Sequence, residues 1–149
     1  MIRILLISFF VLFFCKKNAL AQINSIDIAA SALLNDKATG DYAILIYADG
    51  ILKDSIYSKK AKGIELHLEK NKLYSLVFKK ITFQSKIVIV DTHIPVGLRE
   101  LVEEPFLLQI ELSSQVTKPD LEDHPVAILT LNKKEKSLVA SESYYKLTH

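Results

Sequence analysis

Beyond residue 40 the apolar residues recur at every second position, and this rhythm narrows the choice of fold more than any other feature. Ile64, Leu66 and Leu68 alternate with Glu65, His67 and Glu69, so an extended chain carries one apolar and one charged side. Phe106, Leu108, Ile110 and Leu112 alternate likewise with Leu107, Gln109, Glu111 and Ser113. Tyr74, Leu76 and Phe78 share a face, as do Ile87 and Ile89. A helix brings residues three and four apart onto one side, so these segments would not gather their apolar residues as helices. Strands buried on one side are expected of antiparallel sheets packed face to face.

Turn signals fall between these runs. The DKATGD segment, 36–41, separates a first strand over 23–34 from a second over 42–47. Residues 29–34 of that first segment also fit a helical turn. Asp49-Gly50 joins the second strand to 51–57, and Asp-Gly between apolar runs is a strong hairpin signal. Residues 58–62, 69–72 and 79–83 close the following connections and leave strands over 73–78 and 84–90. Short strands at this spacing predict an all-β, two-sheet antiparallel sandwich of about seven strands with a C-terminal extension.

After Asp91 the pattern changes. Residues 92–105 hold two prolines and no sustained alternation, which predicts a crossing connection with one helical turn over 97–103. A strand over 106–113 follows, then an acidic loop over 117–124 and a strand over 126–131. Residues 132–136 read as a charged turn and 137–147 as a tail. No repeat, low-complexity tract or interdomain linker interrupts the chain.

The first 21 residues have the three parts of an export signal. Arg3 supplies the positive start, 4–15 is apolar except for Ser8, and Ala19-Leu20-Ala21 is a small-residue cleavage site. The apolar run is shorter than the about 20 residues a spanning helix needs, and Lys16 and Lys17 close it. Cys15 raises the question of a lipid anchor, but Phe14 stands where that processing wants a small residue. The expectation is a cleaved signal over 1–21, a single domain over 22–149 with a C-terminal strand and tail from about 116, and a periplasmic or secreted location.

Cleavage would remove three of the 19 basic residues and none of the 17 acidic ones, taking the formal charge from +2 to −1. A near-neutral domain lacks the basic excess of a nucleic-acid binder. The single cysteine also leaves, so the core alone has to stabilise the fold. No integral membrane segment is expected after cleavage.

Residues 63–83 carry a more specific pattern: Gly63-Ile64-Glu65-Leu66-His67-Leu68, then Asn71, Tyr74-Ser75-Leu76 and Lys79-Lys80-Ile81-Thr82-Phe83. This resembles part of a transthyretin-like or carboxypeptidase regulatory-like domain, over about residues 40–147. The chain is also similar to small exported proteins of Bacteroidota, through Asp123-His124-Pro125-Val126-Ala127-Ile128 and the later Tyr144-Tyr145. The resemblance implies a sandwich and says little of function. Two departures stand out. Ile81-Thr82 replace the Gly of the Gly-aromatic corner, so a turn of another geometry is expected there, and residues 26–32 replace a Gly-rich opening strand.

Candidate chemistry is sparse. Asp91 and His93 stand two apart on one strand face, a spacing open to a metal or to acid–base work. The alternative is that Asp91 ends a strand and His93 lies in the following connection. Asp120, Glu122, Asp123 and His124 offer ligands to a hard cation but lack the EF-hand spacing and its Gly, and a solvated loop explains them equally. His67 lies between Glu65 and Glu69 on the expected outer face, open to titration near neutral pH, with a plain surface histidine as the alternative. There is no G-x-S-x-G and no Gly-rich phosphate loop. The runs Lys59-Lys60-Ala61-Lys62 and Lys133-Lys134-Glu135-Lys136 sit in expected turns, where lysines are solvated and protect sheet edges, with contact to an anionic surface polysaccharide or lipid as the alternative. Leu107, Leu129 and Tyr47 are expected outside the first core face, as a partner surface or a second core.

No residue is assigned as catalytic, cofactor-binding or metal-binding, and no cofactor is expected. The expectation is an exported, non-enzymatic binding or accessory module presenting loops and a sheet edge to an envelope or extracellular protein or a surface glycan. A small secreted hydrolase or metal-dependent enzyme using Asp91 and His93 is the alternative. A third possibility is a structural subunit that donates or accepts a strand at an open edge.

Overall fold

The computed structural model describes residues 25–101, 104–114 and 124–141. Residues 1–21, expected as a leader, most of the acidic loop and the Tyr144-Tyr145 segment lie outside the described residues. The described chain is all β, in two sheets packed face to face. Ten strands follow in order: β1 (Ser25–Leu34), β2 (Lys37–Ala38), β3 (Tyr42–Ala48), β4 (Ile51–Ser58), β5 (Ile64–Glu69), β6 (Leu73–Lys79), β7 (Lys86–Asp91), β8 (Phe106–Glu111), β9 (Pro125–Asn132) and β10 (Ser137–Ala140).

The smaller sheet is built around β1, paired with β5 on one side and β8 on the other. The short β2 folds back on the end of β1 through Asn35 and Asp36. Both take left-handed φ values, 50° and 61°, as a two-residue primed turn requires. The larger sheet runs β10-β9-β7-β6-β3-β4. Its β3–β4 hairpin turns on Asp49 (φ 50°) and Gly50 (φ 79°), as the Asp-Gly signal predicts. Asp49 Oδ1 accepts a hydrogen bond from the Leu73 N–H at 3.1 Å, which ties this turn to β6.

Most pairings are antiparallel, but each sheet holds one parallel pair, β1 with β8 and β7 with β9. Parallel neighbours need long crossings. The chain supplies one after β7 and another after β8, changing sheet each time.

The core lies between the sheets. Ile26, Ile28, Ala30, Leu66, Leu68, Leu108 and Ile110 from the smaller sheet meet Ile44, Tyr74, Leu76, Phe78, Val88, Val90 and Leu129 from the larger. Three expectations are corrected here. Ile87 and Ile89 do share a face, but it is the outer one, and Val88 and Val90 point inward. Leu129 is core, only 3% exposed, whereas Leu107 is 73% exposed. Residues 137–140 form β10 rather than tail, because Leu138 buries against the core opposite Leu131.

No helical turn occurs over 97–101. Pro95 to Leu98 form a tight turn closed by a 3.0 Å Leu98 N–H bond to the Pro95 carbonyl, with Gly97 at φ 85°. Positive φ at the third position is the type II geometry that Gly favours, and it stops a helix from starting. The corner at Lys80 to Phe83 has the same geometry without Gly. The Phe83 N–H bonds the Lys80 carbonyl at 3.1 Å, and Thr82 takes φ 69°. A β-branched residue there is strained, so the expectation of another geometry is corrected: the turn takes the form Gly favours with an ill-suited residue.

Candidate functional site

The site worth describing lies where edge strand β4 of the larger sheet faces edge strand β5 of the smaller one. Between them runs a groove of about 370 Å³. Its floor is apolar, from Ile46, Ala48, Leu66, Leu68 and Tyr74, and its rim is charged, from Lys53, Asp54, Glu65, His67, Glu69 and Lys72.

Local sequence explains the opening. Ile46 pairs with Asp54 and Tyr47 with Leu52, so Lys53 is an extra residue in β4. Such a bulge bends an edge strand and re-aims its side chains. Cross-strand partners point to one face, so Asp54 stands on the core side opposite Ile46. A carboxylate there cannot be covered by the second sheet, and the sandwich stays open along this edge.

The rim is organised by pairs. Asp27 and His67 are directly opposite in the β1–β5 ladder, and His67 Nδ1 lies 2.8 Å from Asp27 Oδ1. The hydrogen bond to Asp27, and then its charge, push the His67 imidazole above its ordinary value. Both groups are exposed, so the pair is worth little stability. Lys72 and Glu69 form a second ion pair across the β5–β6 turn. That hydrogen bond holds the Glu69 carboxyl below its usual range and Lys72 above its own, and the charge of Lys53 adds to the first effect.

Asp91 and His93 do come together, but by local geometry. Asp91 Oδ1 accepts the His93 backbone N–H at 2.9 Å and lies 2.6 Å from His93 Nδ1. One carboxylate thereby ends β7 and starts the crossing. Among the described residues no group of three or more His, Cys, Asp or Glu could hold a metal ion. His124 is exposed at the entry to β9, and Asp120, Glu122 and Asp123 lie outside the described residues.

The residue that the motif Asp91-Thr92-His93 hides is the middle one. Thr92 is fully buried. Its Oγ1 accepts the Lys72 N–H at 2.9 Å and lies 2.8 Å from the carbonyls of Glu69 and Lys72. Its backbone bonds Lys72 and Asn71 as well. Thr92 therefore sets the β5–β6 turn that carries Glu69 and Lys72 to the groove. No sequence signal marks it, since a Thr at a strand end is ordinary.

The two lysine runs also separate. Lys59, Lys60 and Lys62 lie in the exposed β4–β5 connection. Lys133 to Lys136 form the β9–β10 turn, where Asn132 Oδ1 accepts the N–H groups of Lys134 and Glu135. A second cavity of about 370 Å³ opens where the N-terminal ends of β1 and β8 approach β9 and β10, lined mainly by Ile26, Leu101, Phe106, Leu131 and Leu138.

No protein-family model matches the chain, and no curated protein sequence matches it. The transthyretin-like resemblance therefore rests on the quoted residues alone.

Proposed function

We propose that the protein is an exported, non-enzymatic binding module of the transthyretin-like kind, which presents loops and a sheet edge to an envelope protein or a surface glycan. The observation that supports this reading is the groove along β4 and β5, because it joins three things a docking edge needs. Each of these strands pairs on one side only among the described residues, leaving main-chain donors and acceptors for an added segment. The apolar floor offers burial to alternate side chains of that segment. The mixed rim of Lys53, Glu69, Lys72 and His67 offers charge-assisted bonds to a polar partner, whether peptide or sugar.

The groove's chemistry favours recognition over turnover. Glu69 and Lys72 pair with each other and His67 with Asp27, all in contact with solvent, while a catalytic acid or base works best from a desolvated or crowded position. The export signal over 1–21 is the basis for placing the partner in the envelope or outside the cell.

The test is capture of envelope components on the immobilised protein, followed by the same capture with Lys53→Glu and Glu69→Lys combined. Loss of the captured component with the fold intact is the expected result. Undiminished capture by the variant would remove the groove from the proposal.

A further inference from the structure

The outward face of the larger sheet is built unlike a solvated surface. On the smaller sheet, outward positions are mostly polar, with Asp27, Ser31, Glu65, His67, Gln109 and Glu111, and with Ala29, Leu33 and Leu107 apolar beside them. On the larger one, the register lines up Leu45, Val77 and Ile87 in one row across β3, β6 and β7. The next row carries Tyr47, Ser75, Ile89 and Ile128 across β3, β6, β7 and β9. These rows are adjacent, so the apolar side chains make a continuous patch over four strands. Sequence repeats the message: Tyr42–Ala48, Lys86–Asp91 and Pro125–Asn132 hold nearly unbroken apolar runs. Such runs belong to strands covered on both faces.

We propose that this face is the contact between two copies of the chain, packed sheet on sheet about a two-fold axis. The proposal goes beyond the binding role of the groove, which lies on another side of the sandwich. Two physical arguments favour a second copy. The first is size. About five 4.8 Å spacings across the sheet and about six 3.4 Å steps along β3 and β6 give the whole face a flat footprint of roughly 500 Å², with the four-strand apolar patch at its centre. With side-chain relief this approaches the about 800 Å² per partner of a standard interface.

The second argument is charge. Two charged residues stand at outward register positions on the described strands of this face, at opposite ends. Lys79 on β6 is opposite Ala43, and Asp91 on β7 is opposite Leu73. A two-fold axis in the interface, perpendicular to the strands and crossing β6 at Leu76, exchanges these ends. Lys79 of one copy then meets Asp91 of the other, on a neighbouring strand. The same operation lays the Leu45–Val77–Ile87 row over the Tyr47–Ile89–Ile128 row. An isologous contact needs this self-complementarity, in which residue i meets j and j meets i.

The experiment is sedimentation velocity of the protein expressed with its own leader and recovered as the host processes it, over a concentration series. A dimer is expected. Ile89→Lys should give a monomer with an unchanged circular dichroism spectrum. Lys79→Asp and Asp91→Lys should each weaken the dimer at least tenfold, and the two together should restore it, which covers the case that Ile89→Lys fails to fold. A monomer at every concentration overturns the proposal, as does a dimer indifferent to the charge exchange. A chain that dimerises only when residues 142–149 are removed also overturns it, by giving the face to that segment.

Discussion

The two outward faces of the sandwich follow opposite rules. The smaller sheet is mainly polar outside, Leu107 being its large exposed exception, and β5 sets Leu66 and Leu68 inward against Glu65, His67 and Glu69 outward. The larger sheet does not: β7 sets Val88 and Val90 inward and still carries Ile87 and Ile89 outward. Both sheets share one core and one chain, so the difference concerns what lies outside. An alternating strand has water on its far side. A strand that stays apolar on both sides suits a second contact, which the proposed dimer supplies.

The comparison breaks most visibly at the core that both sheets share. Leu76→Ala, on the central strand β6, should cost about 2–5 kcal/mol, read as a lowered urea midpoint with an unchanged slope. Leu66→Ala should fall in the same range, since Leu66 is equally enclosed although β5 is an edge. A much smaller loss at Leu66 would mean that the smaller sheet is only lightly held.

Next in size is the tie between the sheets. Thr92→Val keeps the shape but leaves the Lys72 N–H and the Glu69 carbonyl without their hydroxyl partner, and should cost about 1–3 kcal/mol. Amide exchange at Lys72 should speed up ahead of global unfolding. Unchanged exchange would show that the β5–β6 turn holds itself.

The outward faces themselves supply the sharpest pair. Ile89→Ala, at a half-buried position, should cost about 1–2 kcal/mol. Glu65→Ala on the other outward face should stay within about 0.5 kcal/mol. Equal effects in chemical denaturation would erase the distinction between the two faces.

The smallest effect comes from His67. Asp27 favours the protonated imidazole, so the NMR titration midpoint of His67 should lie above 6.5 and fall in Asp27→Asn. The sign follows from linkage: this contribution is complete below pH 6.5 and is lost as pH rises through the raised midpoint. With both partners exposed it should not exceed about 1 kcal/mol. A midpoint indifferent to Asp27 would detach His67 from the groove's rim.

Much of the local architecture was legible from residues. The alternation at 64–68 and 106–112, the Asp49-Gly50 hairpin and the charged turn at 132–136 all describe interactions between near neighbours. The misread faces have one cause. For Ile87 and Ile89, and for Leu129, both alternating positions are apolar, so period alone does not say which side faces the core. The hairpin at Asn35-Asp36 was obscured because Asn and Asp tolerate positive φ less openly than Gly advertises it. The candidate site was barely legible. Lys53 becomes a bulge only against β3, and Asp54 opens a groove only because β5 stands opposite.

The sequence alone decided that this chain makes short strands, where most of its turns fall, and that strands such as β5 and β8 bury one side, because those choices rest on neighbours a few residues apart. Only the tertiary structure decided the two parallel pairings, the open side between β4 and β5, and the apolar back of the larger sheet. Each of these depends on which distant strand becomes a neighbour, and every strand here offers the same backbone hydrogen bonds to any partner that arrives.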